Sequence, residues 1–293
     1  MLISPLPGSD RRNIRQALNH VWTEAVNARS TITEHDELCL KYLSWAVEAA
    51  THLRSQISAR DLDRLVLTRR YWALQQVIST APHLHGRQAV HIAQLVRMEL
   101  EERATDLQQA MDTFHDHVQR WSDLAVYVVA DTSFFVQHTE RLEEADFAPL
   151  IEARDYHDIH LLFPMVVVDE LDNLKQHGKQ HTRWRAGHTL AVLDRVLASS
   201  VWGVFREREA WFGKNRQETR RITMEIVLDP AGHTRLPIAD DEIIDRAKAI
   251  EALAARPVTL LTYDTSQATR GRSADLRVVK LQLQLASEEP PRS

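Results

Sequence analysis

Residues 124–135 read LAVYVVADTSFF, a short valine-rich run that stops on Asp131. An apolar run too short for a core helix and rich in β-branched residues fits a strand covered on both faces, as in a parallel sheet. The signature recurs at residues 161–168 and 258–262, with helical patterns between, including an amphipathic stretch at 241–255. Strands alternating with helices imply a parallel sheet and an α/β domain. Residues 222–228 offer a further strand, closed by the turn signal Asp229-Pro230-Ala231-Gly232.

Upstream the texture changes. Behind the capping candidates Ser9 and Asp10, apolar residues Ile14, Ala17, Leu18, Val21 and Ala25 fall at helix spacing. Leu38, Tyr42, Trp45, Ala49, His52 and Leu53 repeat that spacing, and a third helical stretch spans residues 62–78. Pro82 and Gly86 punctuate, and residues 88–119 are long enough for one extended helix or two. The expected organisation is an all-α helical bundle over residues 1–120, an α/β domain over 124–285 and a disordered tail over 286–293. Trp22, Trp45 and Trp72 read as bundle core.

Composition narrows the chemistry. With 36 Lys and Arg against 41 Asp and Glu, the net charge of −5 means any nucleic-acid contact must come from a local basic patch. The single cysteine, Cys39, excludes an internal disulfide and a multi-cysteine zinc site, and suits a reducing, cytoplasmic setting. No export leader or membrane span is read, since Pro164 interrupts the longest apolar run. The histidines His83, His85, His91, His115 and His117 match no tetrahedral zinc spacing.

Functional groups in an open parallel sheet collect where strands end at their carboxyl edges. Asp131 ends the first strand, Asp169 and Glu170 the second, and Asp264 follows the strand at 258–262. Asp240 and Asp241 precede a helix, where either caps it and still presents a carboxylate. Gathered acids repel one another and raise each other's pKa unless a cation shares the site. Magnesium or manganese suits such all-oxygen ligands and promotes hydrolysis of a phosphodiester.

The segments VVADTSFF, FPMVVVDELDNLKQHG, LPIADDEIIDRAKAIEAL and VTLLTYDTSQATRGRSADLRVVKL resemble, in order and spacing, the acidic motifs of PIN-domain nucleases. The resemblance covers residues 124–285. It implies a five-stranded parallel sheet flanked by helices and a metal-dependent site for endonucleolytic cleavage of single-stranded RNA. Its acids map to Asp131, Glu170, Asp241 and Asp264, with Asp240 a close rival to Asp241. The implied roles are metal anchoring by Asp131, Asp241 and Asp264, with Glu170 completing the shell or orienting water. Thr132, Ser133, Thr262 and Ser266 are supporting hydroxyls.

An acidic centre needs basic neighbours to hold RNA. Lys175, Lys179, Arg183 and Arg185 flank Trp184, which is expected to stack an unpaired base; Arg270 and Arg272 are further candidates. A second basic region, 206–221, holds Arg206, Arg208, Lys214, Arg216, Arg220 and Arg221 with Trp211 and Phe212. The helical domain carries no catalytic motif and suits self-association or a protein partner. A catalytically silent RNA-binding scaffold and a structure-specific DNA nuclease are the competing readings. A phosphatase of the haloacid dehalogenase type needs a second Asp where Ser133 stands.

Overall fold

The computed structural model describes residues 3–6, 8–30, 35–80, 86–153, 157–207, 210–211, 217–218, 220–229 and 233–282. Two compact units emerge, Met1–Ser122 with Ala252–Ala255, and Asp123–Glu251 with Arg256–Ser293.

Among the described residues the first unit holds α1 (Arg11–Ser30), α2 (His35–Leu53), α3 (Ala59–Leu65), α4 (Arg69–Thr80) and α5 (Arg87–Arg120). Ile14, Leu18, Val21 and Ala25 are buried, as their spacing requires. The stretch expected as a third helix is two, because Thr68 starts a new one: its hydroxyl accepts the Tyr71 amide at 3.1 Å, an N-cap bond. Residues 88–119 lie within the single 34-residue α5. Trp45 is buried, but Trp72 is 56% exposed, because Tyr71 and Leu74 take the inward positions of α4. Trp72 instead meets the Tyr71 ring edge-on at 5.0 Å.

The second unit runs β1 (Val126–Ala130), α6 (Thr132–Gln137), α7 (Phe147–Leu150), β2 (Ile159–Pro164), α8 (Met165–His177), α9 (Gln180–Leu197), β3 (Trp202–Arg206), β4 (Ala210–Trp211), β5 (Gln217–Glu218), β6 (Ile222–Val227), α10 (Ala239–Ala254), β7 (Val258–Thr262), α11 (Thr265–Ser273) and β8 (Arg277–Lys280). Its main sheet has six strands in the order β3-β6-β2-β1-β7-β8. Strands β6, β2, β1, β7 and β8 are mutually parallel, which is the expected five-stranded sheet, and β3 adds an antiparallel edge. β4 and β5 form a separate antiparallel ribbon.

One boundary departs from expectation. The second strand ends at Pro164, and Met165–Val168 form the first turn of α8. Proline fits the N-terminal edge of a helix, and Val166, Val167 and Val168 stay buried there. Asp169 and Glu170 therefore sit inside a helix rather than on a strand end. At the far side, a β-carbon added to Gly271 would meet Leu260 Cδ2 at 2.8 Å and Val278 Cγ2 at 2.9 Å, so α11 packs tightly over β7 and β8. Among the described residues no helix is long and apolar enough to cross a membrane. The tail expected to be disordered lies outside the described residues.

Candidate functional site

Parallel pairing brings the carboxyl ends of β1 and β7 level: Ala130 registers with Leu261, and the Asp131 amide donates to the Leu261 carbonyl at 3.1 Å. Asp131 then caps α6, accepting the Phe134 amide on Oδ1 at 3.1 Å. The Ser133 hydroxyl donates to Oδ1 at 2.6 Å, and the Thr262 hydroxyl donates to Oδ2 at 2.6 Å. Those hydroxyls also accept, Ser133 from the Tyr263 amide at 2.9 Å and Thr262 from the Asp264 amide at 2.8 Å. The turns after two neighbouring strands are thus laced together through one carboxylate.

Asp264 caps α11 by accepting the Gln267 amide at 3.0 Å. Buried Gln267 reaches on to the Asp240 carbonyl, its Nε2 donating at 3.4 Å. Glu170, one residue past Asp169 on α8, accepts the Thr132 hydroxyl at 2.5 Å, which ties α8 to the first turn of α6. Asp240 and Asp241 occupy the first turn of α10.

The electrostatics separate these acids. Burial pushes the Asp131 pKa up against the pull of the Ser133 and Thr262 hydroxyls, and the charge of Asp264 adds to the rise. Burial also raises Glu170, opposed by Thr132 and reinforced by the charge of Asp240. Asp240 is raised by burial, then by Asp264, against the pull of the Arg270 charge. Repulsion therefore links Asp131, Glu170, Asp240 and Asp264.

Asp241 belongs less to this circle, because Arg270 donates to it at 2.6 Å while its Nε reaches Ser266 at 3.2 Å. Of the α10 pair, Asp241 is thus tied to Arg270, while the charge of Asp240 acts on Glu170. The structure also gives Arg270 and Ser266 a part in holding Asp241.

The donor set is entirely oxygen, which suits a hard divalent cation. No three of these carboxylates bring oxygens within 4.8 Å of one another; among the described residues the group that does so is His233, Glu242 and Asp245. Arg246 reaches both Glu242, at 3.4 Å, and Asp245, so the negative charge there already has a cation. Glu242 further accepts from His233 at 2.7 Å and from the Leu236 amide at 2.9 Å, which ties the segment before α10 to the helix.

One arginine near the site, Arg235, escapes sequence reading, and the role expected of a second, Arg185, is corrected. Arg235 donates to Asp229 at 2.7 Å and to Asp169 at 2.5 Å, tethering that same segment to α8. Its signal was a lone cation in an acid-rich stretch. Arg185, expected to bind RNA, is buried and is removed from that set. Its guanidinium donates to the carbonyls of Phe135 at 3.1 Å, His138 at 2.9 Å and Glu140 at 2.5 Å, at and beyond the end of α6. Carbonyls that a short helix leaves unpaired recruit the five-donor fork of an arginine.

Lys175, Lys179, Arg183, Trp184 and Arg272 are exposed, and among the described residues no ion pair engages these four cations. In the second basic region, Arg206 donates to the Glu143 carbonyl at 2.5 Å and Arg220 to the Ala153 carbonyl at 3.1 Å. Arg221 lies 6.0 Å from the centre of the Trp202 ring. Arg208, Phe212, Lys214 and Arg216 lie outside the described residues, as do the Trp211 side chain and the histidines His83 and His85.

No curated protein matches this chain. The family model for the PIN domain matches residues 128–282, more than half of the sequence and spanning each acid described above.

Proposed function

This chain belongs to the PIN-domain family, whose members are generally metal-dependent nucleases, and from that premise we propose that it is an endoribonuclease that hydrolyses single-stranded RNA. The observation that carries the reading is a set of partly buried, mutually repelling acids after β1 and β7 and in α8 and α10, of which Asp131 and Glu170 are held by hydroxyls. Protein-only contacts leave that charge unbalanced, and a divalent cation would balance it. Asp131, Asp264 and Asp240 are proposed to hold magnesium or manganese, with Asp241 as the alternative on α10. Magnesium keeps several of its waters, so carboxylates spaced too widely for a dehydrated ion suit it. Such a cation polarises a phosphoryl oxygen and eases loss of a proton from water.

The chain's own groups divide the remaining work. Asp131 has both oxygens occupied by hydrogen bonds, so its geometry is preset. Glu170 has a raised pKa and one fixing bond, from Thr132, which suits it to accept a proton from attacking water as that oxygen bonds phosphorus and the strand's P–O bond breaks. Lys175, Lys179, Arg183 and Arg272 are proposed to neutralise phosphates. Exposed Leu40 and Val47, seven residues apart on one face of α2, support self-association or a protein partner for the helical unit. The single cysteine suits a cytoplasmic location.

The test is incubation of the purified chain with labelled single-stranded RNA and DNA in magnesium, manganese or chelator. Metal-dependent cleavage of RNA alone is expected. Cleavage of DNA alone overturns the substrate, and binding without cleavage in either metal indicates a silent scaffold.

A further inference from the structure

Trp184 leaves 52% of its surface exposed, an unusual position for a large aromatic on a helix that buries its other face. Its ring lies flat on His188, four residues along α9, with centroids 5.1 Å apart and an interplanar angle of 10°. His188 is itself fixed: its Nε2 lies 2.5 Å from a Glu143 carboxylate oxygen, and the other Glu143 oxygen accepts from Arg195 at 2.7 Å. Arg206 pins the Glu143 backbone by donating to its carbonyl at 2.5 Å. Arg195 and the hydrogen bond to His188 both hold the Glu143 carboxyl below its ordinary range, which keeps it an acceptor. The indole is therefore clamped on one face with half its surface open, and Arg183 beside it is exposed and, among the described residues, without an ion pair.

Among the described residues, the other strongly exposed indoles lack this build. Trp72 meets Tyr71 edge-on, and Trp202 already carries the Arg221 guanidinium. A rigid aromatic backed by a second ring loses little conformational freedom when a flat ligand covers it.

We propose that Trp184, backed by His188 and Glu143, is a preformed stacking platform for one unpaired nucleobase, with Arg183 and Lys179 holding the adjoining phosphates. The proposal rests on the nucleic-acid reading given above. It assigns support of the indole to His188, and leaves Arg183 of the two flanking arginines for the backbone, since Arg185 is buried. The ligand class is a single strand, because paired bases have no free face to offer.

Binding of the full chain in chelator, followed by anisotropy of a labelled single-stranded RNA, tests it. Trp184→Ala is expected to weaken binding about tenfold with the salt dependence unchanged, and Trp184→Phe to recover most of that loss. His188→Ala, which leaves the indole unsupported, is expected to weaken binding by about threefold. An oligonucleotide with abasic positions should bind the wild-type chain about as weakly as intact RNA binds Trp184→Ala, and that variant should not sense base removal. Equal binding by wild type and Trp184→Ala overturns the platform while leaving the RNA reading intact. Loss in Trp184→Ala on DNA but no binding of RNA keeps the platform and overturns the RNA reading. If the wild-type chain binds neither strand, both fall.

Discussion

Glu99 in the helical unit and Asp131 in the α/β unit are carboxylates buried to 1% and 5% exposure, and their surroundings are opposite. Glu99 accepts from Thr68 and Arg70, each at 2.8 Å, and lies 3.1 Å from the Arg103 guanidinium. Asp61, also buried in the helical unit, likewise pairs with Arg64 at 2.8 Å. Asp131 receives two hydroxyls and an amide, and the charge nearest in effect is the like charge of Asp264. A buried acid matched by arginine is a finished structural element. One held by neutral donors among other acids keeps a charge the fold has not balanced, and that difference separates the proposed site from the scaffold.

The sharpest way to break the contrast is Asp131→Asn, expected to lower metal-dependent cleavage by about a thousandfold or more while changing metal-free stability by no more than about 1 kcal/mol. Steady-state cleavage and urea unfolding measure the two effects. In the same assay Asp240→Asn is expected to cost about a hundredfold and Asp241→Asn only a few-fold, because Arg270 already neutralises Asp241. The reverse order makes Asp241 the α10 carboxylate of the site.

Glu99→Ala should do the opposite of Asp131→Asn. It removes the buried partner of Arg70 and Arg103, which keep Glu102 and Asp106, and is expected to cost about 1–3 kcal/mol in urea unfolding, with cleavage per folded molecule unchanged. Arg185→Ala belongs with Glu99: it leaves three carbonyls at the end of α6 without their donor, for about 3 kcal/mol. It should not alter the salt dependence of RNA binding, whereas Arg183→Glu should flatten it.

The smallest effect is on pH dependence. Asp131, Glu170 and Asp240 titrate above their ordinary range when folded, so the folded state holds their protons more tightly than the unfolded chain. Their contribution is therefore most favourable below the ordinary carboxylate pKa of about 4 and is lost as pH rises through the raised values. Unfolding in chelator from about pH 4 to 7 should show that decline as a component that Asp131→Asn reduces and saturating manganese offsets. A metal-free profile identical in wild type and Asp131→Asn would show that no unbalanced charge exists.

Much of this was legible along the chain because it is local. Residues 124–130 and 258–262 announce buried strands, and Ile14, Leu18, Val21 and Ala25 announce the inward face of α1, since burial on a helix or in a sheet imposes its own period. Asp131 and Asp264 are readable as helix caps at strand ends. Pro164 is the exception among boundaries: the valines after it read as strand, yet they turn into α8 and carry Glu170 with them.

What the sequence determined by itself, then, is which segments form elements, in what order, and that acids stand where parallel strands finish. Only the tertiary structure decided that Asp241 on α10 is tied to Arg270, that Arg185 serves the fold, and that Trp184 leans on His188 and so on Glu143. Those outcomes depend on groups tens of residues apart in the chain meeting through directional hydrogen bonds and short-range repulsion. A charge is visible in one dimension, but whether it is balanced depends on its neighbours in three.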